Sequence, residues 1–558
     1  MTADVPCMNL FDEIFKHDSL DRTAVLFEEQ QITYVQLQAR TISIARVLPT
    51  LGIASGDRVA LLLNDSPEFI AAFIAICSYG AIVVPINMAL QLEEQLAILN
   101  DCTARTCIIE AEAADRFQHT TGIALPHVKD FVVVDRNEQV RFSNCQLLQP
   151  THHAAAPRVW SLTELLAVAR SENHSSNDPP HFTLGHVPET TFHEPEVNQP
   201  AFILYTSGST GEPKGAVHCQ SDIFYTNETY CREVLQLRDG DRLFSSSRLP
   251  FAYGLGNSFT FPLLNGCTTI LCREKPTPEV ISRIFETYKP TIFFGVPVIY
   301  RLLLDYSRKI LLDCSSLRFC ISAGEALPAQ LGEEWEKTFG LPVLDGIGST
   351  EMLHMFMSNH EGKVRYGSSG KLLAGYEGQL RDEKGQPCAE STEGNLWVKG
   401  ASAARGYWQR PEVTGSTFVY GWVRTGDLYS QDAEGYWHHM GRSDDCFKSS
   451  GQWVSPVEVE GLLLRHKDVS RAAVVEDFDS NGLPCPCAFV VRNEGAEDTS
   501  ALEEGLRKLA RESLPRFKQP RRYVFVSELP YTATGKIQRF KLRQQVQRPM
   551  SNVQRLSS

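Results

Sequence analysis

Eleven consecutive residues, Tyr205-Thr-Ser-Gly-Ser-Thr-Gly-Glu-Pro-Lys-Gly215, gather hydroxyls, glycines and one lysine directly behind the apolar run AFILY. Glycines let backbone N–H groups approach phosphate oxygens, and hydroxyls and an ammonium add donors without crowding. The chemistry implied is a phosphate cradle built from Thr206, Ser207, Gly208, Ser209, Thr210, Gly211 and Lys214. The run GSTGEPKG lacks the GxxxxGK[ST] spacing of a Walker loop, which weakens a kinase or NTPase reading. A plain Gly/Ser linker is the bland alternative, and a buried-strand pattern immediately before the loop argues against it.

Four more segments follow in order: Gly346-Ile-Gly-Ser-Thr-Glu351, Arg424-Thr-Gly-Asp427, Gly441-Arg-Ser-Asp-Asp445 continuing to Gly451, and Thr534-Gly-Lys536. With all five in place the chain resembles the adenylate-forming superfamily of acyl-CoA synthetases, adenylation domains and luciferases, and the resemblance spans almost its whole length. It implies that Thr350 contacts the α-phosphate and that Glu351 helps hold Mg²⁺, a hard cation suited to carboxylate and phosphate oxygens. By the same resemblance Ser349 belongs to the nucleotide site, Asp427 accepts from both ribose hydroxyls, and Arg442 reaches the ribose or phosphate. Gly324-Glu325-Ala326 and Asp345-Gly346-Ile347-Gly348 fall where the family builds its adenine pocket. Ile347 stands where relatives often carry an aromatic residue.

Lys536 resembles the lysine that bridges carboxylate and nucleotide during adenylation, where negative charge crowds at phosphorus. Tyr531 stands where many relatives carry a basic residue. Asp444 resembles the hinge of a small domain that presents first Lys536 and then the Lys448 to Trp453 loop, with Gly451 giving close approach to the thioester centre. Taken singly, each of these residues reads as an ordinary cap, surface ion pair or surface lysine. The ordered set does not.

Two segments narrow the substrate. Leu249-Pro-Phe-Ala-Tyr-Gly-Leu-Gly-Asn257 and Gly348-Ser-Thr-Glu-Met-Leu-His-Met355 look like benzoate-CoA ligases. That similarity implies an acyl pocket of Ala252, Tyr253, Ala323, Gly348, His354 and Met355, with Tyr253 and His354 flanking a ring in a flat slot. Ala, Gly and Met are equally routine core residues. The expected activity is ATP-dependent conversion of benzoate or a ring-substituted benzoate to an acyl-adenylate, then transfer to CoA, releasing AMP and diphosphate. A stand-alone enzyme loading a carrier protein, or a CoA ligase for another acid, is the alternative; no carrier module follows residue 545. A luciferase-like oxygenase and a non-enzymatic binding protein rank lower. ATP, Mg²⁺ and CoA are the expected cofactors and co-substrates.

The elements that must position these residues alternate between short apolar strands (RVALLL, AIVVPIN, TCIIE, AFILYTS, TIFFGVP, LRFCISAG, PVLDGIG) and helical stretches, which predicts helix-covered, mainly parallel sheets. Short strands and turns from about residue 364 to 440 predict a barrel-like β subdomain. The expected architecture is therefore α/β: an N-terminal domain over 1–441, a hinge at 442–445, a small mobile α+β domain over 446–545 and a tail over 546–558. The stretch FIAAFIAICSYGAIVVPI (69–86) approaches a membrane-spanning length, but Tyr79-Gly80 divides it into a buried helix and a buried strand.

At 558 residues the chain is too long for one core. Its net charge of −13 works against adhesion to nucleic acid or anionic lipid. Neither end reads as an export or peroxisomal signal, so a cytoplasmic location is expected, with no membrane or nucleic-acid partner; a homodimer is left open. The 15 cysteines, scattered singly apart from Cys485-Pro-Cys487, read as reduced thiols. Residues 171–199 read as a surface loop, and their histidines, His174, His181, His186 and His193, lack metal-site spacing.

Overall fold

A computed structural model of the chain describes residues 8–17, 19–118, 125–134, 157–163, 165–166, 192, 194–207, 213–388, 393–450, 452–479, 482–493, 495, 499–531 and 537–547. The chain divides into two compact units. The first comprises Met1–Tyr366, Gly370–Glu377 and Lys399–Val423; the second comprises Gly367–Ser369, Gly378–Val398 and Arg424–Ser558.

Two sheets organise the first unit. A seven-stranded sheet runs in the order Arg158–Ser161, Asp130–Val134, Thr106–Glu110, Arg58–Leu62, Ile82–Pro85, Pro200–Ser207, Pro213–Cys219. Its pairings are parallel except the last, which is antiparallel. A nine-stranded sheet is parallel through its middle, with Val343–Gly348, Phe319–Ser322, Ile292–Gly295 and Arg242–Ser245 adjacent in that order. The strands read from the sequence are these strands. Val, Ile and Phe dominate them because a parallel sheet covered on both faces buries every side chain.

The helix Pro67–Ser78 shows how one segment serves both sheets. Ser66 caps it by accepting from Phe69 N, and Pro67 opens it where the missing N–H costs nothing. Its side chains from Phe69 to Ser78 are buried, and Phe69 to Cys77 share one core cluster with Val59, Leu61 and Val83 of one sheet and Val25, Phe27 and Leu271 of the other. A helix apolar all round belongs in an interior. The strand Ile82–Pro85 follows, so the 69–86 stretch is a core helix and a core strand. Among the described residues no helix is long and apolar enough to cross a membrane.

The second unit holds most of a five-stranded sheet, with strands at Glu377–Arg381, Gly394–Lys399, Phe418–Val419, Trp422–Gln431 and Trp437–Arg442, where the sequence predicts a barrel-like element. It also holds a three-stranded sheet of Val469–Phe478, Pro484–Arg492 and Arg522–Val526. Alternation in those strands assigns the two faces. Ala472, Val474, Ala488 and Val490 cluster with Val459 and Leu463 of one helix and Leu502 and Leu506 of another. Ala473, Val475, Cys487 and Phe489 cluster with Leu542 and Val546 of the last helix. Residues 442–445, expected to be a hinge between domains, fall inside the second unit.

Among the described residues none of the 13 cysteines is in a disulfide, and Cys485 and Cys487 are buried strand residues. Most of 171–199, including His174, His181, His186 and His193, lies outside the described residues.

Candidate active site

The glycine- and hydroxyl-rich loop joins two paired strands. Its strands, Pro200–Ser207 and Pro213–Cys219, pair antiparallel with Thr206 opposite Lys214 and Tyr205 opposite Gly215. Thr206 and Lys214 therefore stand side by side at the neck, followed on one strand by Ser207. Gly208, Ser209, Thr210 and Gly211 lie outside the described residues. The neck is braced from below. The Tyr205 hydroxyl donates to Asp101 at 2.6 Å, and Arg410 donates to the other oxygen of Asp101 at 2.6 Å. Burial pushes the Tyr205 phenol well up, so it stays a donor. A Cβ on Gly215 would sit 2.5 Å from Ile203 Cγ2, which is why glycine occupies that strand position.

Thr350 and Glu351 sit in a turn that joins two antiparallel strands, Val343–Gly348 and Met355–Ser358. Gly348 is required by that turn: a Cβ there would lie 2.5 Å from the His354 carbonyl oxygen. At Gly346 a Cβ would meet Met355 Cε at 2.4 Å. Ser349 caps the short helix Thr350–Met352, its hydroxyl accepting from Met352 N at 3.2 Å. Leu353 then takes φ 64°, ψ −42°, with His354 N donating to Met352 O at 2.8 Å. This is a γ-turn of the strained hand, a conformation that persists only where the surroundings impose it.

Three contacts impose it, and none was visible in the sequence. Tyr407 donates its hydroxyl to Glu351 Oε1 at 2.6 Å, and Ala404 N donates to Glu351 O at 2.8 Å. His218 Nε2 lies 2.8 Å from Thr350 O, while its Nδ1 lies 2.8 Å from Asp222 Oδ2. His218 and Asp222 are separated by four residues, but Thr350 is 132 residues away. Only the spacing of His218 and Asp222 just past the loop could have hinted at them. For Mg²⁺, the half-buried Glu351 offers one carboxylate, which suits a cation that takes one or two carboxylates beside phosphate oxygens. Among the described residues no group of three or more His, Cys, Asp or Glu could hold a metal unaided.

The expected adenine segments come together. Leu327 N donates to Asp345 Oδ2 at 3.4 Å, tying the loop of Gly324, Glu325 and Ala326 to the strand carrying Asp345. Gly324 takes φ 89° there. Burial pushes the Asp345 carboxyl up to about 8, against the pull of the Leu327 and Gly346 N–H groups and the Ser322 hydroxyl. Ile347 is half-buried in its strand.

The acyl-pocket residues also gather. Tyr253 packs 5.7 Å from His354 by ring centroids, tilted 32°. Two rings sandwiching a third need about 7 Å, twice the carbon contact distance, so Tyr253 and His354 form one wall and not the two sides of a slot. Tyr230 at 4.8 Å and Phe261 at 4.7 Å complete a cage around His354. Both arrive from distorted helices: Tyr230 from the π-helical Asn227–Leu235, and Phe261 directly after the π-helical Gly256–Thr260. Such insertions re-aim side chains at functional positions and leave no sequence period. Burial pushes His354 down to about 3, so its ring is neutral. Among the described residues the Tyr230 hydroxyl has no hydrogen-bond partner, and the His354 ring and the Asn257 amide are engaged only loosely, by the Tyr253 backbone and the Tyr253 side chain. Ala252, Ala323 and Met355 are buried.

In the second unit Asp427 pairs across strands with Arg442, whose guanidinium donates to Asp427 Oδ1 at 3.2 Å; His439 Nε2 lies 3.5 Å from the same oxygen. Burial raises the Asp427 carboxyl, but Arg442, His439 and Thr425 outweigh it and hold it below the ordinary value. Gly426, at φ 77°, leaves room for Arg442: a Cβ there would lie 2.7 Å from the guanidinium. The Lys448 to Trp453 segment is a β-hairpin with those two residues opposite each other and the ammonium 4.9 Å from the indole. Asp444 is exposed beside Asp445, which pairs with Arg539 and Arg543. Gly451 and Lys536 lie outside the described residues; Tyr531 and Ile537 form an antiparallel bridge. Tyr531 holds the Arg471 guanidinium over its ring at 5.4 Å.

Comparison with known proteins gives the same family from independent ground. Residues 11–408 match the AMP-binding enzyme family and residues 458–536 match the AMP-binding enzyme C-terminal domain. A benzoate–CoA ligase of Thauera aromatica is 38% identical over 94% of this chain and 92% of its own length. A 4-hydroxybenzoate–CoA/benzoate–CoA ligase of Rhodopseudomonas palustris is 34% identical over 94% of this chain and 90% of its own. The crystal structure of the anthranilate CoA ligase AuaEII in complex with anthranoyl-AMP superimposes with a TM-score of 0.84 at 34% identity, covering 98% of both chains. The chain belongs to the AMP-binding, adenylate-forming enzyme family and, within it, to the AMP-forming acid–CoA ligases.

Proposed function

We propose that the chain activates benzoate or a ring-substituted benzoate with ATP and transfers the acyl group to CoA. One observation carries the reading: Thr350 and the aromatic cage around His354 flank the same turn, four residues apart. On this reading a phosphate contact and an aryl pocket would share one hairpin. Relatives named for benzoate, hydroxybenzoate and anthranilate support it.

In the proposed sequence a carboxylate oxygen attacks the α-phosphorus, diphosphate leaves, and the CoA thiol then attacks the acyl carbon and expels AMP. Thr206, Ser207, Lys214 and Thr350 would donate to phosphate oxygens, with Gly208 to Gly211 supplying backbone donors. Asp427, ionised beside Arg442, would accept from the ribose hydroxyls. Lys536 would stabilise the charge that crowds during adenylation, and the Lys448 to Trp453 hairpin would serve the CoA step. Mg²⁺, held by Glu351 with phosphate oxygens, would neutralise phosphate charge.

A second reading has its own observation. The Tyr230 hydroxyl, without a partner among the described residues, and the loosely engaged Asn257 and His354 favour a ring hydroxyl or amine, since buried polar groups are normally satisfied. AMP release and aryl-CoA formation, measured with benzoate, its hydroxy, amino and halo derivatives and medium-chain fatty acids, test both. Aryl acids should exceed fatty acids by about 10²-fold or more in kcat/KM. Activity confined to fatty acids, or acyl loading without CoA, would refute the proposal.

A further inference from the structure

His218 is fully buried, and both of its ring nitrogens face acceptors. Nε2 lies 2.8 Å from the Thr350 carbonyl oxygen, which can only accept, so Nε2 carries a proton. Nδ1 lies 2.8 Å from Asp222 Oδ2. That carboxylate is surrounded by donors: Cys219 N at 3.1 Å on Oδ2, with Ser221 Oγ and the Arg405 guanidinium each at 3.3 Å on Oδ1. Arg405 is a permanent cation, and a carboxyl accepting from it and from a backbone N–H is ionised. An ionised Asp222 leaves the Nδ1 proton on the ring. The face of the ring lies 5.3 Å from the Phe202 ring at 18°, a stacked arrangement that fixes its plane.

We propose that His218 is held as an imidazolium behind the Thr350 turn, a positioning residue that fixes the Thr350 backbone and brings one positive charge to the phosphate side of the site. His218, Asp222 and Arg405 sum to one net positive charge. The carbonyl it holds belongs to the residue whose hydroxyl is proposed to meet the α-phosphate. The charge therefore acts on phosphate through the turn and does not touch substrate. This inference rests on that reading of Thr350 and deepens it.

The test uses the full chain, with AMP and adenosine as probes in calorimetry. His218→Ala and His218→Gln should weaken AMP binding by about tenfold or more, the size of one charge-assisted hydrogen bond. Adenosine affinity should stay within about twofold, and KM for ATP should rise while KM for the acid does not. The neutral donor of His218→Gln should restore less than half of the loss. A merely structural role would weaken AMP and adenosine alike, and that result overturns the proposal. So would histidine-selective ¹⁵N NMR of the unsubstituted enzyme showing one bare ring nitrogen at His218 at neutral pH. The NMR result does not depend on which acid is activated. A failed aryl-acid panel with a doubly protonated His218 would therefore reject the substrate reading alone.

Discussion

Asp345 and His354 are buried with their charged forms disfavoured, and each sets a limit on stability. For Asp345 the sign follows from the raised value. Between the ordinary 3.8 and about 8 the folded state holds a proton that the unfolded chain has lost, so stability falls as pH rises through that window and levels off above it. The slope is at most about 1.4 kcal/mol per pH unit. Asp345→Asn keeps the shape and removes the ionisation, so urea unfolding of the ligand-free protein from pH 5 to 9 should lose that alkaline decline. An unchanged pH profile in the variant would show that Asp345 is ionised in the folded state. For His354, lowered to about 3, the stability is complete above its ordinary 6.5 and is lost as pH falls toward 3. These two residues were singled out in the sequence for nucleotide and acyl contacts. Their altered acidity was not legible, because it comes from neighbours that only folding supplies.

The hairpin from Val343 to Ser358 carries the next scale. It positions Thr350, Glu351 and His354 through a strained turn that admits no side chain at position 348. Gly348→Ala should destabilise the protein by ~2 kcal/mol or more and lower kcat/KM for ATP and acid together, since its Cβ would strike backbone that cannot step aside. Gly415 in the helix Pro411–Thr417 is the control. Nothing lies within 4 Å of its added Cβ, and Gly415→Ala should stabilise by up to ~1 kcal/mol. Thermal unfolding beside steady-state kinetics separates the two. The sequence showed the strand before this turn, the Gly-rich segment and the strand entering the phosphate loop, since apolar runs and glycines are local signals. It did not show Ser349 as the cap, Tyr407 on Glu351, His218 behind Thr350 or the two π-helical segments. Those depend on residues far apart in the chain or on helix irregularities with no period of their own.

At the scale of the whole molecule, composition and motif order were enough to expect several domains and a family. The second unit takes in Gly378–Val398 and Arg424–Gln431 as well as the C-terminal sheet. The proposed exchange of Lys536 for the Lys448 to Trp453 hairpin between two half-reactions yields a prediction for the entire enzyme. Lys536→Ala should slow adenylate formation from acid and ATP by about 10²-fold or more. Thioester formation from a pre-made aryl-adenylate and CoA should stay within a few-fold. Rapid-quench measurement of each half-reaction decides it, and equal loss in both contradicts the exchange.

Of the 13 described cysteines only Cys272 and Cys388 are even partly exposed. Burial pushes the Cys102, Cys267, Cys314 and Cys446 thiols up to about 12, far from the thiolate form that reacts. For an enzyme proposed to work on the thiol of CoA, this quiet interior has a practical meaning. A thiol-reactive dye added to the native protein during turnover would report the disappearance of coenzyme and draw little signal from the described cysteines themselves.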